Sequence, residues 1–280
     1  MTIDTAGLKR LTGDEFKACL VQELSWFNNF CKENNIRYYL FFGTLIGAAR
    51  HKGFIPWDDD IDIIVPRNDY KRLISIFKND GRYKLMCREL ISEYEFPFAK
   101  LIDSNTLLIQ NYGYHEKVDL GAYIDVFVLD GLPDDEKEAM KHIALAKKMV
   151  RKWSVTYRRI IRGRQTIVKD CLRYLWYLPN HIRGYKYYLN ELERIGNMYP
   201  VKEGGKVANL TYPIVTGLYH MEDFETIDGE FEGHSFCIPK GYDRLLTTTY
   251  GNWRQLPPVE KRISIHEFDC YLLDKKDRKE

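Results

Sequence analysis

The chain has 280 residues, 45% of them hydrophobic and 29% charged, with a formal net charge of +2. That profile excludes a disordered or collagen-like polymer and leaves room for one large domain or two small ones. The near-balance of charge argues against a dedicated nucleic-acid binder, but it hides an asymmetry. Residues 141–186 hold 13 Lys or Arg against one acid, Asp170, a local charge of +12 that leaves −10 on the rest.

No run of 18 apolar residues occurs, so no transmembrane helix is expected. Residues 1–10 lack the apolar core and cleavage site of a secretory signal. The six cysteines, at 19, 31, 87, 171, 237 and 270, form no Cys-x-x-Cys pair. They read as reduced thiols of a cytoplasmic protein.

In chain order, Thr12 and Glu15 form a capping-box pattern. Phe16, Leu20, Leu24, Phe27 and Cys31 behind it recur at intervals of three and four, which predicts an amphipathic helix ending near Asn34-Asn35. Tyr38–Phe42 reads as a buried strand stopped by Gly43, and Thr44–His51 as a short helix with Thr44 as its N-cap. Gly53–Trp57 is a turn. Asp60–Val65 alternates and then becomes apolar, a second strand closed by Pro66. Asn68–Phe77 has helical spacing. Further strands are expected at Tyr83–Cys87, Phe96–Ile102, Thr106–Gln110 and Ala122–Leu129.

Pro133 and the acids after it open a long helical stretch that reaches about Asn197, with breaks at Gly163, Pro179 and Gly184. The last eighty residues hold short strands, a helix at Tyr242–Tyr250 and a Pro257-Pro258 break. The order of elements predicts an α+β fold: a mixed β-sheet core flanked by helices, with an appended basic helical region. The expected division is a catalytic core over 1–132, a basic helical region over 133–200, and a C-terminal segment over 201–280 that completes the substrate pocket.

The chemistry concentrates in Trp57-Asp58-Asp59-Asp60-Ile61-Asp62-Ile63. On a strand, Asp60 and Asp62 share one face while Ile61 and Ile63 anchor the other. Their Cα atoms would lie roughly 6–7 Å apart from the rise per residue. Two carboxylates held side by side repel unless a cation lies between them, and a hard divalent ion such as Mg2+ or Mn2+ suits that role. Asp125, set among apolar neighbours in Tyr123-Ile124-Asp125-Val126-Phe127, is the third carboxylate, because a charge in such a strand needs a partner. Such a set serves in-line phosphoryl displacement. Asp58 shares the parity of Asp60 and Asp62; Asp59 does not.

These residues carry a resemblance. Gly43-Thr44, then Asp60-Ile61-Asp62-Ile63, then Asp125 resemble the nucleotidyltransferase superfamily pattern. The longer run Phe42–Ile63 is similar to the LicD family. So are Pro66–Tyr70, Phe98–Leu101, Ile124–Gly131, and Tyr250-Gly251-Asn252-Trp253 with Pro257-Pro258, Arg262 and His266. The resemblance covers about residues 14–130 and 235–267, and Asn68 departs from an acid common in the family. It implies a nucleotidyltransferase-like core and transfer of a phospho-alcohol, foremost phosphocholine, from a CDP-activated donor. The acceptor it implies is a hydroxyl of a cell-surface glycan such as teichoic acid, lipopolysaccharide or capsule.

On that resemblance, Asp60, Asp62 and Asp125 would bind Mg2+ or Mn2+ and carry catalysis, with Asp125 able to take the acceptor's proton. Gly43 and Thr44 would lie against donor phosphates at a helix N-terminus. Arg50, Lys100, Arg262 and His266 would contact phosphate, the last two from one helical face. Trp57 and Asp58 would border the alcohol pocket. The basic segment 141–186, interleaved with aromatics, reads as a solvated face, as a peripheral contact with the inner face of a membrane, or as a dock for an anionic, lipid-linked glycan. The same carboxylates would serve a nucleotidyltransferase moving an NMP unit from an NTP to a small molecule. A non-catalytic nucleotide-binding scaffold is the third reading, against which the intact carboxylates speak.

Overall fold

The computed structural model describes residues 5, 7–110, 120–157, 167–213, 216–263 and 268–273. Its first long element, α1 (Gly13–Glu33), opens with the full capping box. The Thr12 hydroxyl accepts from the Glu15 amide and the Glu15 carboxylate accepts from the Thr12 amide. The stripe of Phe16, Leu20, Leu24, Phe27 and Cys31 is buried, as its spacing predicts.

Among the described residues, nine strands form one mixed sheet. They are β1 (Lys9–Arg10), β2 (Tyr39–Leu40), β3 (Asp62–Pro66), β4 (Tyr83–Met86), β5 (Ala99–Gln110), β6 (Leu120–Gly131), β7 (Lys206–Asn209), β8 (Tyr219–His220) and, past a separate hairpin of β9 (Thr226–Phe231) and β10 (His234–Pro239), the C-terminal β11 (Phe268–Leu272). The spine runs β1-β11-β5-β6-β3-β2, with β4 on β5, β7 on β6 and β8 on β7. Only β3 and β6 pair in parallel; the others are antiparallel. The fold is mixed helix and sheet, as the order of elements predicts.

Several boundaries differ from the sequence expectation. Tyr38–Phe42 supplies only the two-residue β2, because the chain turns at Phe41 to start α2 (Phe42–Ile46). Thr44 is therefore inside a helix rather than its N-cap; Phe41 holds that position. Gly47–His51 continues as a π-helical turn. Asp60 precedes β3 rather than opening it. The strands expected at Phe96–Ile102 and Thr106–Gln110 are one, β5, with a register shift between Asp103 and Leu108. A bulge of that kind interrupts the alternation without ending the pairing, so the sequence reads as two strands.

The next helices are α3 (Arg67–Ile76), α4 (Glu136–Tyr157), α5 (Ile167–Gly196) and α6 (Tyr242–Tyr250). Gly184 in α5 has non-helical backbone and Pro179 lies within the helix, while Gly163 falls outside the described residues. The main core packs α1, the sheet, the hairpin and α6 together. A second core joins α4 and α5 through Ala139, Ile143, Val150, Trp153, Tyr188 and Leu192. Among the described cysteines, Cys19, Cys31, Cys87, Cys237 and Cys270 are free thiols.

A buried ionic cluster ties the two cores. Arg67, at the start of α3, donates to Asp130 on β6 at 2.7 Å and to Glu193 on α5 at 3.1 Å. Asp130 is fully buried, and one of its oxygens has no hydrogen-bond partner. Burial raises its pKa to about 6 although the Arg67 charge pulls the other way.

Candidate active site

The site is a row of residues across three strands. Parallel β3 and β6 place Asp62 opposite Asp125, and antiparallel β5 and β6 place Lys100 opposite Asp125. In-register neighbours share a sheet face, so Asp62, Asp125 and Lys100 stand side by side at roughly the 4.7–4.9 Å strand spacing. The Lys100 Nζ donates to Asp125 Oδ1 at 2.5 Å.

The local sequence explains how each is held. The Thr44 hydroxyl accepts from the Asp62 amide at 2.8 Å, and the Asp62 carbonyl accepts from the Phe41 amide at 2.9 Å. The turn into α2 is thus stitched to the first residue of β3. Phe42 adopts a φ of 44° in that turn. For a bulky residue this costs on the order of 1–3 kcal/mol and persists only where surrounding contacts enforce it.

A Cβ on Gly43 would lie 2.7 Å from Asp58 Oδ2. Glycine there lets the backbone approach the Asp58 carboxylate, and so Asp58 joins the cluster its parity allows. Asp62 is the buried member. Its pKa is raised well above the ordinary carboxylate value, first by burial and then by the charges of Asp60, Asp125 and Asp58, with Lys100 opposing. Four carboxylates therefore act on one another here, and Lys100 acts against their summed charge.

Lys100 is itself enclosed, with a side chain only 3% exposed. Its ammonium lies 3.4 Å from the Tyr123 ring centroid, 5.0 Å from Phe96 and 5.3 Å from Phe98. A carboxylate and three ring faces compensate the loss of hydration. Lys100→Met keeps an unbranched apolar side chain one atom shorter among the rings but removes the charge. It is expected to fold and to lose about 10²-fold in turnover, the usual effect of deleting one charge-stabilising group. Circular dichroism and turnover together check this; a folded variant with undiminished turnover removes Lys100 from the site.

The remaining residues lie around this row. Arg50 donates from Nη1 to the Trp253 carbonyl at 2.6 Å and from Nε to His51 at 2.9 Å, which ties the π turn to the C-terminal segment. Arg262 donates to the Pro257 carbonyl at 2.9 Å, and its guanidinium lies 5.6 Å from the Trp57 ring centroid. Those two are brought together, although Arg262 follows a 3-10 turn (Val259–Lys261) instead of sitting on a longer helix. His266 falls outside the described residues.

Sequence reasoning missed the rings around Lys100 and also Tyr250. The phenol of Tyr250 is pushed up by burial and by the charges of Asp62, Tyr219, Asp60 and Asp58, so this residue at the end of α6 borders the carboxylates. Tyr123, two residues before Asp125 on β6, carried a readable signal in its parity. Tyr250 carried none beyond its place in the Tyr250-Gly251-Asn252-Trp253 string.

Among the described residues, no group of three or more His, Cys, Asp or Glu side chains forms a ready-made metal cage. The donor chemistry nonetheless suits Mg2+, which is held by one or two carboxylates together with substrate phosphates and waters. Adjacent Asp62 and Asp125, with Asp60 two residues upstream, supply such hard oxygen donors. The raised pKa of Asp62 reflects burial and then the charges of Asp60, Asp125 and Asp58, which a cation would offset.

The family model described as LicD/FKTN/FKRP, nucleotidyltransferase domain, matches residues 35–158. That span contains Gly43, the acidic run, Lys100 and Asp125. The lipopolysaccharide cholinephosphotransferase LicD of Haemophilus influenzae is 30% identical over 274 residues, 95% of this chain and 100% of that protein. An uncharacterised protein of Rickettsia typhi is 38% identical over 85 residues, 29% of this chain and 28% of its own length. The row Asp62–Asp125–Lys100 lies within the matched residues 35–158, and this chain, aligned over 95% of its length with a 30% identical relative, belongs to the LicD family as an enzyme of the LicD phosphotransferase type.

Proposed function

We propose that the enzyme transfers phosphocholine from CDP-choline to a hydroxyl of a cell-surface glycan of the lipopolysaccharide kind, on a nucleotidyltransferase-like core. The observation that carries this reading is the in-register Asp62–Asp125–Lys100 row, in a chain aligned over 95% of its length with a lipopolysaccharide cholinephosphotransferase. In this reading residues 1–132 form the catalytic core, 133–200 a basic helical region, and 201–280 the segment closing the pocket. The reaction takes place on the cytoplasmic side of the membrane.

Asp62 and Asp125, with Asp60, would hold Mg2+ or Mn2+. When bound, the ion supplies positive charge against the donor diphosphate. The acceptor hydroxyl attacks the phosphorus that bears the choline, a new P–O bond forms, and the bond to the second phosphate breaks to release CMP. The hydroxyl proton passes to the Asp125 oxygen not engaged by Lys100. Lys100 stands beside that carboxylate, where its fixed charge stabilises oxygens gaining negative charge. Gly43, whose missing Cβ lets the Asp58 carboxylate close in, lies with Thr44 beside the donor phosphates. Arg50 and Arg262 extend the positive rim, and Trp57 offers a ring face to the trimethylammonium.

A donor panel tests the reading. Incubation with CDP-choline, CDP-ethanolamine, CDP-ribitol or CDP-glycerol and a glycan acceptor, with and without Mg2+, is expected to release CMP fastest from CDP-choline. Release must depend on the divalent ion. Preference for another CDP-alcohol would move the assignment within the family. Pyrophosphate release from an NTP, with no CMP from any donor, would replace it by nucleotidyl transfer.

A further inference from the structure

Helix α5 changes character at Gly184, whose backbone (φ 76°, ψ 161°) interrupts the helix. After the break, Tyr188, Leu189, Leu192 and Ile195 are buried against α4. Before it, Leu175, Leu178 and Ile182 are 71%, 50% and 76% exposed. Their spacing of three and four puts these aliphatic side chains on one face of the helix. Three aligned, largely exposed aliphatics on one turn-to-turn line are more than the scattered apolar residues of an ordinary surface.

The surroundings are cationic. His142 near the start of α4 contacts the Ile195 carbonyl near the end of α5 at 3.0 Å, so the two helices run antiparallel. Lys148 and Arg151 in the C-terminal half of α4 are exposed, and so is Arg183 of α5 just before the break. The segment 141–186 carries the +12 charge noted above.

Charge and apolarity together select the occupant. A second copy of the same face would bring two segments of like charge together across an isologous contact. A polyanionic glycan alone would leave the aliphatic stripe in water. Among the described residues no helix is long and apolar enough to cross a membrane, so this one would lie on the surface. We propose that the leg of α5 before Gly184 docks in the plane of an anionic phospholipid bilayer, with Leu175, Leu178 and Ile182 entering the acyl boundary and the neighbouring Lys and Arg meeting lipid phosphates. Asn180, buried and accepting from the Tyr188 hydroxyl at 2.7 Å, ties this leg across the Gly184 break to the leg packed in the core. The inference stands apart from the transfer chemistry, none of whose residues it uses.

Co-sedimentation of the full chain with vesicles tests it. The protein is expected to bind phosphatidylethanolamine vesicles containing phosphatidylglycerol, to ignore pure phosphatidylcholine, and to dissociate as salt rises. The triple variant Leu175→Ser, Leu178→Ser, Ile182→Ser changes only exposed side chains. It should lower the partition coefficient at least about tenfold while CMP release with a soluble acceptor stays unchanged. Lys148→Gln with Arg151→Gln should weaken binding and flatten its salt dependence. Failure of the unaltered protein to bind anionic vesicles overturns the proposal. So does equal binding to phosphatidylcholine. A dimer in solution that the triple variant dissolves overturns it in favour of a self-interface.

Discussion

Asp62→Asn is expected to abolish most of the transfer activity and, at the same time, to raise the melting temperature of the metal-free protein. The two effects have one cause. Asp62 is the buried carboxylate on which Asp60, Asp125 and Asp58 converge, and its pKa is raised well above the ordinary value by burial and by those charges. An acid whose pKa is raised by folding binds more protons in the folded state than in the unfolded one. Its contribution therefore favours folding at low pH and is lost as pH rises from the ordinary carboxylate range. At neutral pH the ionised carboxylate works against the fold, and a neutral isostere removes that cost. Each kcal/mol so relieved corresponds to roughly 2–4 °C in a chain approaching this size.

In the proposed mechanism the same charge would hold the cation and so stabilise the transferring phosphoryl group. Its loss should lower turnover by about 10²–10³-fold. Asp125→Asn should lose activity to a similar degree but shift stability the other way, because Lys100 would remain buried without its 2.5 Å carboxylate partner. Thermal melts across pH 4–8 with Mg2+ absent, alongside CMP release with Mg2+ present, read all of this. If both Asn variants keep full turnover, the carboxylate row is not the metal site.

Arg67→Ala is expected to destabilise the chain by about 3–5 kcal/mol, the cost of leaving a buried ion without its partner. Arg67 is 5% exposed in its side chain and Asp130 not at all. Asp130 already has one oxygen unpartnered and a pKa of about 6 with the guanidinium in place. Its pKa lies above the unfolded value, so its contribution to stability falls as pH rises between about 4 and 6. Removing Arg67 steepens that fall. Arg67 also joins β6 to α5 through Glu193, so the loss should loosen the helical pair first, visible as faster amide exchange in α4 and α5. Adding Asp130→Asn to Arg67→Ala should recover part of the loss, since the orphaned charge goes. A single variant as stable as the parent chain, with no change in exchange, would mean that solvent or another cation compensates Asp130.

Local signals carried most of the fold. The capping box at Thr12 and Glu15, the stripe along α1 and the helix at Tyr242–Tyr250 depend on neighbours within a turn or two, and they occur where the spacing puts them. The misreadings lie where a distant contact overrides local pattern. Tyr38–Phe42 has strand composition, yet the Asp62 carbonyl captures the Phe41 amide and Thr44 captures the Asp62 amide, which turns the chain into α2 early. Thr44 thus serves the strand entry rather than a helix cap. Within β5, the register shift near Asp103 broke the alternation that defines a strand on paper.

The sequence by itself singled out the acidic run before Ile63 and marked Asp125 as a charge needing a partner. It also determined the helix stripes and the segregation of positive charge into 141–186, because all of these are properties of neighbouring residues. Only the tertiary structure decided that Asp62, Asp125 and Lys100 form one row, since strand register is set by pairing between segments far apart in the chain. It alone decided that Tyr123, Phe96 and Phe98 enclose the lysine, that Asp58 approaches through Gly43, and that α5 buries Tyr188, Leu192 and Ile195 after Gly184 but exposes Leu175, Leu178 and Ile182 before it. The division follows from the physics: periodicity records which face a side chain takes, and packing determines what that face meets.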